Sequence, residues 1–159
     1  MNDAADDVVI TRVFDAPREW VFQAWVAPER LRQWWAPGGL TVCDGDARPG
    51  GEFRFCFRTP DGPEFWAKGV YREIVPPERL QYVHTFTDAA GNAVGPDHYG
   101  MGGDRSTESV ITVTLEDRGD QTALTLTHSR LRSTQERAGS QYGWTRLLDS
   151  LAELLEEMQ

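Results

Sequence analysis

Three side chains in this sequence titrate near neutral pH without help from their surroundings: His84, His98 and His128. His84 shares its parity with Tyr82 and Phe86, and His128 shares its parity with Leu124 and Leu126. Residues two apart on a strand face the same side, so both imidazoles are expected to point inward with the apolar set. Such a pair can bind a ligand, move protons or hold a metal, or it can be hydrogen-bonded core. A metal would need a third ligand, and none stands at a suitable spacing. No metal and no cofactor is therefore expected. His98 lies in His98-Tyr99-Gly100-Met101, where His98, Tyr99 and Met101 are read as a lid over a pocket mouth. A plain surface excursion is the other reading of that loop.

Asp and Glu are numerous, but no pair stands out as an acid–base dyad. Glu73 is the exception. It shares the parity of Tyr71, while Val70 and Ile74 favour the opposite parity on the same strand. Both faces of that strand stay open as the inner one. Arg48-Pro49-Gly50-Gly51 and Met101-Gly102-Gly103 do not lead into helices, so they read as turns rather than phosphate cradles. No nucleophile elbow, P-loop or dinucleotide-binding glycine pattern occurs.

The chain has six Trp. Trp25 reads as core. Trp34, Trp35, Trp66 and Trp144 are candidates for a pocket wall, each with an N–H for a ligand, and core packing is the alternative for each.

Positioning these groups takes strands and a helix. Val8 to Phe14 reads as a strand, and Asp15 as the N-cap of a helix with Pro17 in its first turn. Val21, Phe22 and Trp25 keep helical spacing. Pro28 opens a second short helix, with Leu31, Trp34 and Trp35 on one face, and Pro37-Gly38-Gly39 stops it. Strands follow at Leu40 to Cys43, through Phe53, Phe55 and Phe57, at Phe65 to Val75 and at Leu80 to Thr87. Residues 88–106 carry five Gly and one Pro and form the longest loop. Ser109, Ile111, Val113 and Leu115 alternate with polar residues, as do Leu124, Leu126 and His128, giving a hairpin about Asp117-Arg118-Gly119-Asp120.

Ser133 and Glu136 have capping-box spacing ahead of a long helix. Its apolar stripe runs through Trp144, Leu147, Leu148, Leu151, Leu154, Leu155 and Met158. The N-terminal half of that face offers only Ser140 and Gly143. Small residues opposite aromatic strands leave room for a cavity, or they allow close helix–sheet approach. The terminal helix is the only element long enough to cover the sheet, so the sheet should curl around it.

The chain of 159 residues supports one domain, 1–159, with a core over about 8–157 and an acidic, flexible segment at 1–7. Its net charge is −9, and Lys68 is its single lysine. That balance disfavours nucleic acid and anionic membranes as partners. There is no apolar run long enough to span a bilayer and no signal-peptide pattern, so a cytoplasmic location is expected. Cys43 and Cys56 read as free thiols.

These residues also resemble a known family. The matching motifs are Phe14-Asp15-Ala16-Pro17, Val21-Phe22-x-Ala24-Trp25 and Trp34-Trp35-x-Pro37. Arg48-x-Gly50-Gly51-x-Phe53-x-Phe55, Gly69-x-Tyr71-x-Glu73-Ile74 and Pro76-Pro77-Glu78-Arg79-Leu80 follow, then Gly143-Trp144 and Leu148-Asp149-x-Leu151. In this order they resemble the SRPBCC, or START-like, helix-grip superfamily. Within it they are similar to the bacterial branch of homologues of the activator of the heat-shock-protein-90 ATPase. The resemblance implies an α+β fold: a curved seven-stranded antiparallel sheet wrapped around a long C-terminal helix, with two short helices between strands 1 and 2. It also implies an apolar cavity between sheet and helix. In the eukaryotic co-chaperone this module is only the C-terminal part, so it implies at most a weak chaperone contact.

Three functions are consistent with these readings. The first is binding of a small apolar or aromatic molecule by Trp35, Phe55, Phe57, Tyr71, His84, Phe86, His128, Gly143 and Trp144. The second is a cyclase- or hydrolase-like enzyme with His84 or His128 as general base and Tyr71 or Glu73 orienting the substrate. The third is a module contacting heat-shock protein 90. Binding ranks first. Monomer and homodimer both remain open.

Overall fold

The computed structural model describes residues 7–34, 40–46, 48–58, 64–95, 108–131 and 134–158. In chain order the elements are β1 (Val8–Phe14), α1 (Arg18–Val26), α2 (Pro28–Trp34), β2 (Leu40–Gly45) and β3 (Glu52–Arg58). Then come β4 (Glu64–Val75), β5 (Arg79–Thr87), β6 (Glu108–Arg118), β7 (Gln121–Ser129) and α3 (Thr134–Glu157). Among the described residues, seven strands form one antiparallel sheet in the order β1-β7-β6-β5-β4-β3-β2. The sheet is open, with β1 and β2 at its edges.

The alternating pattern of each strand places one apolar face toward α3. Phe53, Phe55, Ala67, Tyr71, Leu80, Tyr82, Ile111, Val113, Leu124 and Leu126 form a single core with Trp144, Leu148, Leu151, Leu154 and Leu155 of α3. Leu148 and Leu151 are fully buried. The helix is thus held by burial along its C-terminal half, and Arg12 of β1 adds an ion pair to Asp149. Among the described residues, no helix is long and apolar enough to cross a membrane.

The short helices close one side of the core. α1 starts one residue after Pro17, which occupies the N-cap with no side-chain bond to the helix. The expected cap, Asp15, is otherwise engaged: it accepts a hydrogen bond from Gln121 Nε2 at 3.0 Å. Next to it, the Thr122 hydroxyl donates to the Ala16 carbonyl at 2.7 Å. β7 therefore holds the chain extended through Ala16 and delays the helix. Pro28 opens α2 as its first residue, where a missing N–H costs no hydrogen bond. Trp34 then packs edge-on to Trp25 at 4.8 Å and donates its indole N–H to the Ala24 carbonyl at 2.8 Å.

A bulge between Tyr71 and Glu73 resolves the parity conflict on β4. One extra residue lets both Tyr71 and Ile74 face the core, while Glu73 turns outward to pair with Arg79 at 2.9 Å. Gly119 closes the β6–β7 hairpin at φ +78°, and its N–H is received by the Asp117 carboxylate at 2.9 Å. Ser133, the other half of the expected capping box, lies outside the described residues. Cys56 is buried, with its thiol donating to the Glu64 carboxylate at 3.8 Å, and the side chain of Cys43 lies outside the described residues.

Candidate functional site

The site is built on β5, β6 and β7, with Trp144 of α3 bonded to His128 of β7. His84 on β5 stands opposite Ser109 on β6, and Ile111 of β6 stands opposite His128 on β7. Ser109 therefore lies between the two imidazoles on the inner face. The His128 ring uses both nitrogens. Trp144 Nε1 donates to His128 Nδ1 at 3.0 Å, and His128 Nε2 lies 2.8 Å from Ser109 Oγ. An indole nitrogen has only a proton to give, so Nδ1 must be the acceptor. In the neutral ring the proton then sits on Nε2 and is donated to Ser109.

His84 is placed differently. Its ring stands perpendicular to Phe86 at 5.0 Å and tilted to Phe55 at 6.0 Å. Among the described residues neither of its nitrogens has a hydrogen bond. Burial depresses its pKa to about 4, against an upward pull from the Glu136 carboxylate. His128 is depressed to about 3, first by burial and then by the nearby charge that His84 would carry. Both rings are neutral at pH 7.

An aromatic wall continues from His84 toward β3 and β4. Phe53 stacks on Phe55 at 5.8 Å and contacts Tyr71 at 5.2 Å and Tyr82 at 5.0 Å. The Phe53 ring lies across Gly69, where any Cβ would collide with it. The Tyr82 hydroxyl is sealed in the core and, among the described residues, has no hydrogen-bond partner. Its pKa is raised well above the usual phenol value, first by burial and then by Tyr71.

His84, Phe86, Ser140 and Gly143 keep accessible surface, while Leu148, Leu151 and Leu155 further along α3 are sealed. Among the described residues, no atom lies within 4 Å of the position a Gly143 Cβ would take. A Gly143 side chain would therefore meet open space rather than the sheet. Glu136 lies on the same flank of α3 and is only 6% exposed.

The sequence-based candidates distribute as follows. Phe55, His84 and Phe86 come together, and so do His128 and Trp144. Tyr71 faces inward further along the wall. Trp35, His98, Tyr99 and Met101 lie outside the described residues, as does the side chain of Phe57. Trp34 is core, tied to Ala24. Trp66 is on the other face of the sheet: it pairs in register with Cys56, not with Phe55, and carries the Arg54 guanidinium over its ring at 5.3 Å. Glu73 is committed to Arg79 and does not join the histidines.

Sequence reasoning left out Ser109, Tyr82 and Glu136 as site residues. The first two were legible by parity, since Ser109 begins the Ile111–Val113 alternation and Tyr82 shares the face of His84. Glu136 had a competing role as a cap. Among the described residues, no group of three or more His, Cys, Asp or Glu is placed to hold a metal ion. A separate surface groove of about 660 Å³ lies toward the far end of α3, lined by Trp20, Gln23, Arg30, Gln33, Leu154, Glu157 and Met158.

An open antiparallel sheet gripping a C-terminal helix defines a helix-grip protein. The family model described as "Activator of Hsp90 ATPase homolog 1-like protein" matches residues 15–156, and the chain belongs to this family. Its solved relatives include a protein of Chromobacterium violaceum, 28% identical over 96% of this chain and 98% of that one, at a TM-score of 0.76. A Rhizobium leguminosarum protein is 26% identical over 95% of this chain and 94% of its own, at a TM-score of 0.71. CalU16 of Micromonospora echinospora is 25% identical over 96% of this chain and 78% of its own, at a TM-score of 0.66. No curated protein matches the chain.

Proposed function

We propose that this protein binds a small apolar or aromatic molecule in the space between the sheet and the first half of α3. The observation that carries this reading is the room at Gly143, flanked by inward-facing groups that stay accessible. Phe55, Phe86 and Trp144 offer aromatic surface there, and His84 offers a ring with hydrogen-bonding capacity to spare. Apolar walls with few polar groups are what small-ligand sites generally present.

The residues are better suited to holding a molecule than to transforming it. A general base works best with a pKa near the working pH. His128 has both nitrogens engaged, and His84 is held near 4, too weakly basic to take a proton efficiently at neutral pH.

Native mass spectrometry of freshly purified protein, set against the denatured mass, tests this reading. A non-covalent adduct of roughly drug-like mass, or saturable uptake of added aromatic compounds, is expected. Gly143→Leu should abolish uptake and keep the fold. Unchanged uptake in that variant would overturn the proposal.

A further inference from the structure

The hydrogen bonds around His128 run in one direction. Trp144 Nε1 can only donate, so it fixes His128 Nδ1 as acceptor. The remaining ring proton sits on Nε2 and is given to Ser109 Oγ at 2.8 Å. Ser109 thus spends a lone pair on His128 and keeps its own proton to donate. Among the described residues, that proton has no acceptor. Ser109 is only 5% exposed, so bulk water does not readily serve its hydroxyl. A buried donor without an acceptor is costly, and a bound group that accepts from it recovers the cost.

Ser109 is also the cross-strand partner of His84, whose nitrogens are unengaged among the described residues. Directly opposed residues on one face lie about 5 Å apart at Cβ, close enough for one ligand atom to reach both. The buried Glu136 carboxylate, whose charge is felt at His84, disfavours a second negative charge there.

Resting on the ligand-binding reading above, we infer that Ser109 is the specificity residue of the site and that its ligand presents an uncharged oxygen acceptor, such as a ketone carbonyl, to the Ser109 hydroxyl. The indole of Trp144 acts through His128 to keep that hydroxyl a donor. Trp144 is in this respect a positioning residue for the head group as well as part of the wall.

The test uses three probes of similar shape: benzophenone, diphenylmethane and diphenylacetate. Each is titrated into the full-length protein by calorimetry, with ¹⁵N NMR of the indole and imidazole nitrogens in parallel. Benzophenone should bind about tenfold more tightly than diphenylmethane, as one buried hydrogen bond provides. Diphenylacetate should bind more weakly than either.

Ser109→Ala should bring the ketone-to-hydrocarbon ratio to within about twofold, while Ser109→Thr, which keeps the hydroxyl, should retain it. Trp144→Phe leaves Ser109 in place but frees His128 to reverse its proton. That variant should also lose the ratio, whatever it does to affinity as a whole, and it answers the question if Ser109→Ala fails to fold. Equal binding of ketone and hydrocarbon to the wild type, or a ratio unmoved by both variants, overturns the inference and leaves the ligand-binding reading intact. Tightest binding of the carboxylate overturns it in favour of an anion site. Binding of none of the three would count against the ligand-binding reading and this inference together.

Discussion

The indole of Trp144 and the ring of His128 stand edge to face, 6.1 Å between centroids, joined by a 3.0 Å hydrogen bond that only the indole can donate. This bond links α3 to β7. It also sets the tautomer of His128 and, through it, the direction in which Ser109 donates. Replacing Trp144 with Phe should cost about 1–3 kcal/mol, the usual consequence of leaving a buried acceptor unpaired. Urea unfolding of the variant measures this. The His128 ¹⁵N shifts should change with it, and a stability and spectrum identical to wild type would mean that the bond contributes nothing.

The buried neutral histidines make stability depend on pH. The native pKa of His84 is about 4, and an unfolded histidine titrates near 6.5. Between these values the unfolded chain binds more protons than the native one. Stability therefore rises with pH through that window and falls as pH drops from about 6.5 toward 4. Protonation of the unfolded state at the His84 position amounts to on the order of 3 kcal/mol by pH 4. His84→Phe should remove that part of the acid sensitivity. Urea midpoints at pH 7 and pH 4 decide it, and equal losses in the variant and the wild type would count against a buried neutral His84.

Gly143→Leu adds a side chain where no described atom lies within 4 Å. A helix-interior glycine also costs about 1 kcal/mol against a good helix former. The melting temperature of this variant should stay level or rise, while ligand uptake disappears. A marked fall in melting temperature would show that the position is packed rather than open.

Gly69 is the contrasting glycine. The Phe53 ring occupies the space its side chain would need. Gly69→Ala should destabilise by about 1–3 kcal/mol, as overpacked cores do, and should disturb the ring contacts of Phe53 with Tyr71 and Tyr82. Thermal unfolding with near-ultraviolet circular dichroism reports both effects. A neutral substitution would mean that the wall is softer than its geometry implies.

Glu73 tests the boundary of the site. It is half-exposed and paired with Arg79 beyond the bulge. Glu73→Gln should change stability by less than about 1 kcal/mol, as exposed ion pairs do, and should leave aromatic uptake unaltered. A loss of uptake would bring Glu73 back into the site.

The sequence by itself determined the order of the elements and the inward direction of His84, His128 and Phe55. Those properties follow from local periodicity, because the strand backbone alternates its side chains whatever lies beyond it. The length and apolar stripe of α3 likewise marked it as the element that the sheet must grip. The motifs spread from Phe14 to Leu151 carried the family.

Only the tertiary structure decided the rest. The bulge at Tyr71 and Glu73 depends on register with β5, so parity read along one strand could not settle it. Trp66 joins the outer face because it pairs with Cys56. Asp15 leaves the helix cap for Gln121, 106 residues away. The polarity of the Trp144–His128–Ser109 chain requires three elements to meet within hydrogen-bonding distance. Hydrogen bonds select partners by position in space, and partners distant in sequence leave no local pattern to read.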